Sequence, residues 1–424
     1  MSTNRALSLL GAALLTASAA SAGEAKPARA LAWSTASADA SRLIEELRTR
    51  IDNFQVGPAN VELARRIVAA DPQFAMGAYY LSAVTPPPAN ETHLARAVEL
   101  AAKASDGERR FIEAMAKVRA NNGANFRDGI APLERLVADY PGERLFPQIL
   151  GQIYQAANQP DKARAAFEQA QAAHASSRVR AFLANDDLLK GRYAEARAAF
   201  EAVERDLPRG AAPFTVRYGI AFSHLYEGQV DAALASLHTY LGEYHASAAD
   251  RTFPEVFIWN SIARINLENG RLNEALQAYE KGYESVPGST LPDDQKKIWL
   301  GRLEHGKCRV LARMGRHEQA WQGAETVRRM IEEGGEEGQQ FLPAYHYLVG
   351  YLKLESGDAR AALEHLKQAD PDNPFHELLL ARAYERLGDT ANARNAYAAV
   401  VASGTNGLER ALAYPEAKRK LATL

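Results

Sequence analysis

The chain has 424 residues, 47% hydrophobic and 24% charged, which excludes a disordered or collagen-like polypeptide and leaves either several small domains or one extended array. Lys plus Arg number 50 against 52 for Asp plus Glu, so the formal charge of -2 gives no overall attraction to nucleic acid or to an anionic membrane. The single cysteine, Cys308, excludes an internal disulfide and a thiolate zinc cluster, and its place in a helical pattern marks it as a buried small residue.

At the N-terminus Arg5 precedes the apolar run Ala6 to Leu15 and the small-residue stretch Thr16 to Ala22. Charged region, apolar core and small residues in that order read as an export signal cut after Ala22, over residues 1–22. The apolar run is shorter than the roughly 20 residues that span a bilayer, and no comparable run follows, so the mature chain is expected to lack an integral membrane segment. Losing Arg5 takes the formal charge to -3, and no cysteine follows the cut to carry a lipid. Periplasmic or secreted localisation is the expectation.

Residues 23–38, rich in Ala, Ser, Lys and Pro, read as a flexible leader. Residues 39–143 read as degenerate helical repeats. An opening helix falls at 41–51, and second helices fall at 59–70, before Asp71-Pro72, and at 94–104. A third pair is 113–119 with 129–136, stopped by Asp139-Tyr140-Pro141.

From residue 144 the pattern becomes regular. Gly151, Tyr154, Ala163, Phe167 and Ala170 match Ala184, Asp187, Ala196, Phe200 and Val203 at an offset of 33 residues. The order returns as Ala263, Gly270, Ala275 and Tyr279, and again as Ala381, Tyr384, Gly388, Ala393 and Tyr397. Weaker copies hold Ala221, Gly228 and Ala233; Cys308, Gly315 and Ala320; and Gly350, Gly357 and Ala362, for seven units in all. Small residues at these places let two helices approach closely, aromatic residues fill the gap to the next helix, and the intervening glycines suit a tight turn.

This pattern resembles the tetratricopeptide repeat family, whose units of about 34 residues are two antiparallel helices. The resemblance covers residues 144–403, with 404–424 as a C-terminal capping segment. It implies an all-α fold of tandem antiparallel helix pairs stacked as a right-handed superhelical solenoid, a protein or peptide partner in the concave groove, and no cofactor or metal.

Unit starts at 144, 177, 214, 256, 301, 343 and 374 are unevenly spaced, and the extra residues fall at 241–254, 288–297 and 332–340. The last of these, with Glu332-Glu-Gly-Gly-Glu-Glu-Gly, reads as a mobile acidic bend. Insertions in a solenoid map to one edge, which is either loop drift or the rim of a binding face.

First helices carry polar residues between their packing positions, and Gln148, Gln152, Asn185, Arg217, Asn260, Arg264 and Arg309 are the candidate contacts for peptide amides and carboxylates. The lysine and asparagine set with which some family members grip a terminal carboxylate is not reproduced at the matching places, which leaves Arg264 and Arg309 as anion contacts. No motif for a zinc protease, an α/β-hydrolase nucleophile, a phosphate loop or a calcium loop is present. The reading is an exported, non-catalytic scaffold or adaptor with a polypeptide partner and no nucleic acid. An alternative is a sensor of glycan or cell-wall fragments with Tyr218, Tyr226, Trp259 and Trp299 lining one pocket; an enzyme assembled across the degenerate units is the third.

Overall fold

The structure, a computed structural model, describes residues 29–208, 211–246 and 255–424. The expected export signal, its expected cut near Ala22 and most of the 241–254 insertion lie outside the described residues. All regular secondary structure among the described residues is helical.

Three antiparallel pairs come first: α1 (Ala38–Asp52) with α2 (Pro58–Ala70), α3 (Ala75–Val84) with α4 (Ala89–Ala101), and α5 (Asp106–Arg119) with α6 (Ile130–Asp139). Seven more follow, beginning with α7 (Leu145–Ala156) and α8 (Pro160–Ala173), α9 (Ser177–Leu189) and α10 (Tyr193–Asp206), and α11 (Phe214–Tyr226) and α12 (Val230–Ala246). Next come α13 (Glu255–Glu268) with α14 (Leu272–Ser285) and α15 (Asp293–Arg313) with α16 (His317–Glu333). After the five-residue α17 (Gly335–Gln339), α18 (Leu342–Glu355) pairs with α19 (Ala359–Leu366) and α20 (Pro374–Arg386) with α21 (Thr390–Ala402). A single helix, α22 (Leu408–Leu421), closes the chain. The fold is therefore a stack of antiparallel helix pairs, a tetratricopeptide-like solenoid.

The repeat residues make the interfaces between these helices. Ala163, Ala196, Ala233, Ala263, Ala275, Ala320, Ala362, Ala381 and Ala393 are all at most 1% exposed, and Phe167, Phe200, Tyr279 and Tyr397 are buried beside them. The helices approach closely at Gly151, where a Cβ would lie 2.5 Å from the Phe167 ring, at Gly306, where it would lie 2.3 Å from the Tyr279 ring, and at Gly350, where it would lie 2.6 Å from Leu366. Each of the seven first helices ends the same way: the N–H just past the turn residue bonds back to the last turn of the helix, as in Gln159 to Tyr154 and Asp389 to Tyr384, each at 2.9 Å. The turn residue has positive φ and is Gly in six units; Asn158, with φ 57°, takes the place in the first.

Three regions differ from the sequence reading. Residues 29–37, placed in the leader, run along the first helices: Leu31 is buried, Trp33 Nε1 donates to Glu45 at 3.0 Å, and the Ser34 N–H donates to Glu108 at 3.1 Å. The acidic bend at 332–340 is a continued helical path through α17. Gly338 makes it possible, because any Cβ there would lie 1.9 Å from the Ile331 carbonyl oxygen.

The third difference is that both ends of the stack reach inward. Arg48 and Arg144 tie α1 to the start of α7 through Glu143 and Asp52, the latter at 2.9 Å, and Arg178 of α9 donates to the Ile51 carbonyl at 2.9 Å. At the other end α22 packs on α20 and α21 as a cap and also reaches back to α11 and α13. Arg410 donates to the Tyr226 hydroxyl at 3.0 Å and lies between the rings of Tyr226 and Tyr414, while Asn406 donates to Asn185. Among the described residues no helix is long and apolar enough to cross a membrane.

Candidate functional site

Four successive first helices, α13, α15, α18 and α20, together with α22 border a cavity of about 1050 Å³. The extra residues of the expanded units build its walls. Asp294, Gln295 and Lys297 come from the insertion that begins α15, and Glu333, Gly334, Glu337, Gly338 and Gln340 from the one that forms α17. A regular unit is too short to supply either wall, so the uneven spacing of the repeats and the presence of the cavity have one cause. The volume is in the range that accepts a small molecule or a few residues of a peptide.

The floor is polar and buried. Arg264 of α13 donates from Nη1 to Glu409 of α22 at 3.1 Å, and its guanidinium lies 4.8 Å above the Phe375 ring. Its Nε and Nη2 have no acceptor. Arg309 of α15 donates to the hydroxyls of Tyr347 and, at 3.2 Å, Tyr279, and its Nε also lacks an acceptor. A buried N–H without a partner costs about 1–3 kcal/mol, a strain that packing elsewhere in the units must offset.

Burial works against the charge of Arg264, but Tyr347, Glu409, Tyr279 and Glu268 outweigh it and its pKa stands above the ordinary arginine value. The histidines respond in the opposite sense. His376 is pushed down to about 4, by burial first and by the nearby Arg264 charge, against the weaker pull of a hydrogen bond to the Asp370 carbonyl. His305 is driven well below its usual value by burial and then by Arg309. Both rings are therefore neutral at pH 7, and each donates to a backbone carbonyl: His305 Nε2 to Ala344 at 3.0 Å, His376 Nδ1 to Asp370 at 3.1 Å. Tyr347 is in contact with both, its ring centroid 4.9 Å from that of His305 and 4.2 Å from that of His376.

Of the seven candidate contacts, the structure brings Asn260, Arg264 and Arg309 together at this cavity. The others are elsewhere. Arg217 is buried and bridges Glu204 of α10 and Glu243 of α12, Asn185 is met by Asn406, and Gln148 is buried in α7 with Gln152 half-buried beside it. The four aromatics of the glycan reading are not on one wall, and none lines the cavity. Tyr218 bonds the Phe257 carbonyl, Trp299 stacks on Phe257, Trp259 lies near Lys281, and Tyr226 stacks on Tyr193. Cys308 is fully buried, and burial raises its thiol pKa to about 12, out of reach of thiolate chemistry.

Sequence reasoning missed Glu409, Asn373 and His376. Glu409 is 145 positions from its partner Arg264, and only the return of α22 joins them. No group of three or more His, Cys, Asp or Glu side chains able to hold a metal occurs among the described residues.

Tetratricopeptide repeat models match residues 148–173, 258–286 and 377–403, which coincide with α7–α8, α13–α14 and α20–α21. No curated protein matches the chain. Among solved structures, PilW, a widely conserved type IV pilus biogenesis factor, is 19% identical, with 56% of this chain and 99% of PilW covered at a TM-score of 0.39. A tetratricopeptide repeat protein from Parabacteroides merdae is 15% identical over 62% of this chain and 98% of its own, with a TM-score of 0.37. A signal-transduction ATPase with a tetratricopeptide repeat sensor from Pyrococcus horikoshii is 12% identical over 79% of this chain and 52% of its own, at 0.48. Together, the helix pairs and the three matched stretches identify the chain as an all-α solenoid of tetratricopeptide-like repeats.

Proposed function

We propose that this protein is an exported, non-catalytic scaffold that binds a polypeptide partner, and that the cavity bordered by α13, α15, α18, α20 and α22 anchors that partner. One observation carries the reading. The cavity lies on the first-helix side of four successive units and is walled by residues that a minimal repeat does not contain. Such a surface suits a segment of extended or helical chain, since each unit adds a further row of contacts. Export rests on the charged, apolar and small-residue order of residues 1–22.

The test is site-specific photo-crosslinking in the native envelope. A photoreactive residue at exposed position 302, on the rim, should trap a defined polypeptide adduct, and one at exposed position 280, on α14, should not. Equal adducts from both positions, or none from either in folded protein, would reject the cavity as the anchoring site. Rim positions are the right ones to vary, because Arg264 and Arg309 are 6% and 2% exposed and reversing their charge would disturb folding.

A further inference from the structure

Two buried guanidiniums that line the cavity, those of Arg264 and Arg309, have only one carboxylate bonded to either of them, that of Glu409. His305 and His376 contribute no charge, and Asp370, which also lines the cavity, accepts from the Asp372 N–H and bonds neither arginine. Glu268 lies one turn further along α13, 4.0 Å from Arg313, and makes no hydrogen bond of its own. Glu409 is thus the one carboxylate bonded to Arg264, and it engages a single N–H through one oxygen. A guanidinium binds an oxyanion best through two parallel N–H groups. The chain's own acceptors leave Arg264 well short of that.

Glu409 is also weakly fixed. Its side chain is 35% exposed, and it sits in the first turn of α22. Both Glu409 and Arg264 line the cavity. An anion entering there meets the guanidinium at the place that Glu409 now serves.

We propose that the cavity binds its ligand through an oxyanion, a carboxylate or a phosphate, which seats on Arg264 in place of Glu409. The proposal rests on the cavity being the binding site and specifies what it recognises. Glu409 acts as a built-in substitute for the ligand group: it keeps Arg264 from standing unpaired in the empty cavity and gives way when a better-oriented oxyanion arrives. Displacing it removes one of the ties between α22 and α13, so occupancy of the cavity and docking of α22 are opposed and, by linkage, affect each other equally. Asp294, Glu333 and Glu337 line the cavity together with Lys297 and Arg302, so both signs of charge are present for the outer part of the ligand.

The experiment is calorimetric titration of the full chain with inorganic phosphate, with succinate, and with acetylated tetra-alanine bearing either a free carboxylate or an amide at its end. At least one free oxyanion should saturate a single site, and the amide should not bind. Glu409→Gln, which removes the competing charge, should tighten that binding about fivefold or more, the low end of ordinary coupling. Arg264→Gln should abolish it, and amide exchange in α22 should quicken on saturation.

Saturation by the peptide acid alone would assign the oxyanion to a polypeptide, and saturation by phosphate or succinate alone to a small molecule. If Glu409→Gln leaves affinity unchanged or weakens it, or if none of the three oxyanions binds either protein, the proposal is wrong. Either result is decisive even if Arg264→Gln fails to fold. Rim crosslinks without oxyanion binding would overturn this proposal and leave the scaffold reading in place.

Discussion

The units of α7–α10 and those of α13–α18 are built on one pattern, yet they put it to opposite ends. In both, a glycine presses on an aromatic ring, Gly151 on Phe167, where a Cβ would lie at 2.5 Å, and Gly306 on Tyr279, where it would lie at 2.3 Å, but the first, spaced by 33 residues, has nothing beyond that contact. In the second, α15 has 21 residues and α16 is followed by the extra turn of α17. The added length stands beyond the helix-pair contact and walls a cavity that regular units cannot make. The packing residues Ala263, Ala275 and Ala320 are as deeply buried in the expanded units as Ala163 and Ala196 are in the regular ones. Extra length in this fold is added at the edges of a repeat, while the interface between its helices stays constant.

Four measurements would break or sharpen this comparison. The largest effect concerns acid. His376 titrates near 4 in the fold and near 6.5 when unfolded, so between those values only the unfolded chain takes up the proton. Stability should therefore be full above pH 6.5 and decline as pH falls toward 4, by up to about 3 kcal/mol from this group. His376→Gln should flatten that decline in denaturation followed across the range, and an unaltered profile would show that the neutral histidine does not mark the cavity floor.

Next in size is Gly151→Ala. The added methyl must displace the buried Phe167 ring, and a loss of about 1–3 kcal/mol is expected despite the better helix propensity of alanine. Ser176 caps α9 by accepting from the Val179 N–H at 3.1 Å, and Ser176→Ala should cost about 1 kcal/mol by denaturation. The smallest effect has the opposite sign. At Gly301, on the cavity wall, a Cβ would lie 3.6 Å from Met330, an ordinary contact, so Gly301→Ala should stabilise by roughly 0.5–1 kcal/mol. Equal losses at 151 and 301 would mean that the cavity wall is packed as tightly as the interface of a helix pair.

The helix pairs were legible in the sequence because their determinants are local and recur. Ala163 and Phe167 lie one turn apart, and each turn glycine stands a few residues from the helix that it ends. The site was legible only in part. Gln152, Asn185 and Arg264 each follow the small residue of their first helix, yet one lies half-buried in α7, one is met by Asn406 and one reaches a cavity. What separates them is the winding of the stack, a sum of small rotations between units that no single unit encodes. The spacing revealed extra residues at 288–297 and 332–340, but only the packed chain shows that both wall one cavity. Glu409 had no local signal at all.

The return of α22 to α11 and α13 changes the mechanics of the molecule. A stack in which each unit touches only its neighbours behaves as a coil spring, compliant along its axis and able to lose turns one at a time from a free end. Here α1 is fastened to α7 and α9, and α22 crosses back to units well before the last, so each end is latched to the interior. Pulled from its ends, such a spring resists stiffly until a latch opens and then extends at much lower force.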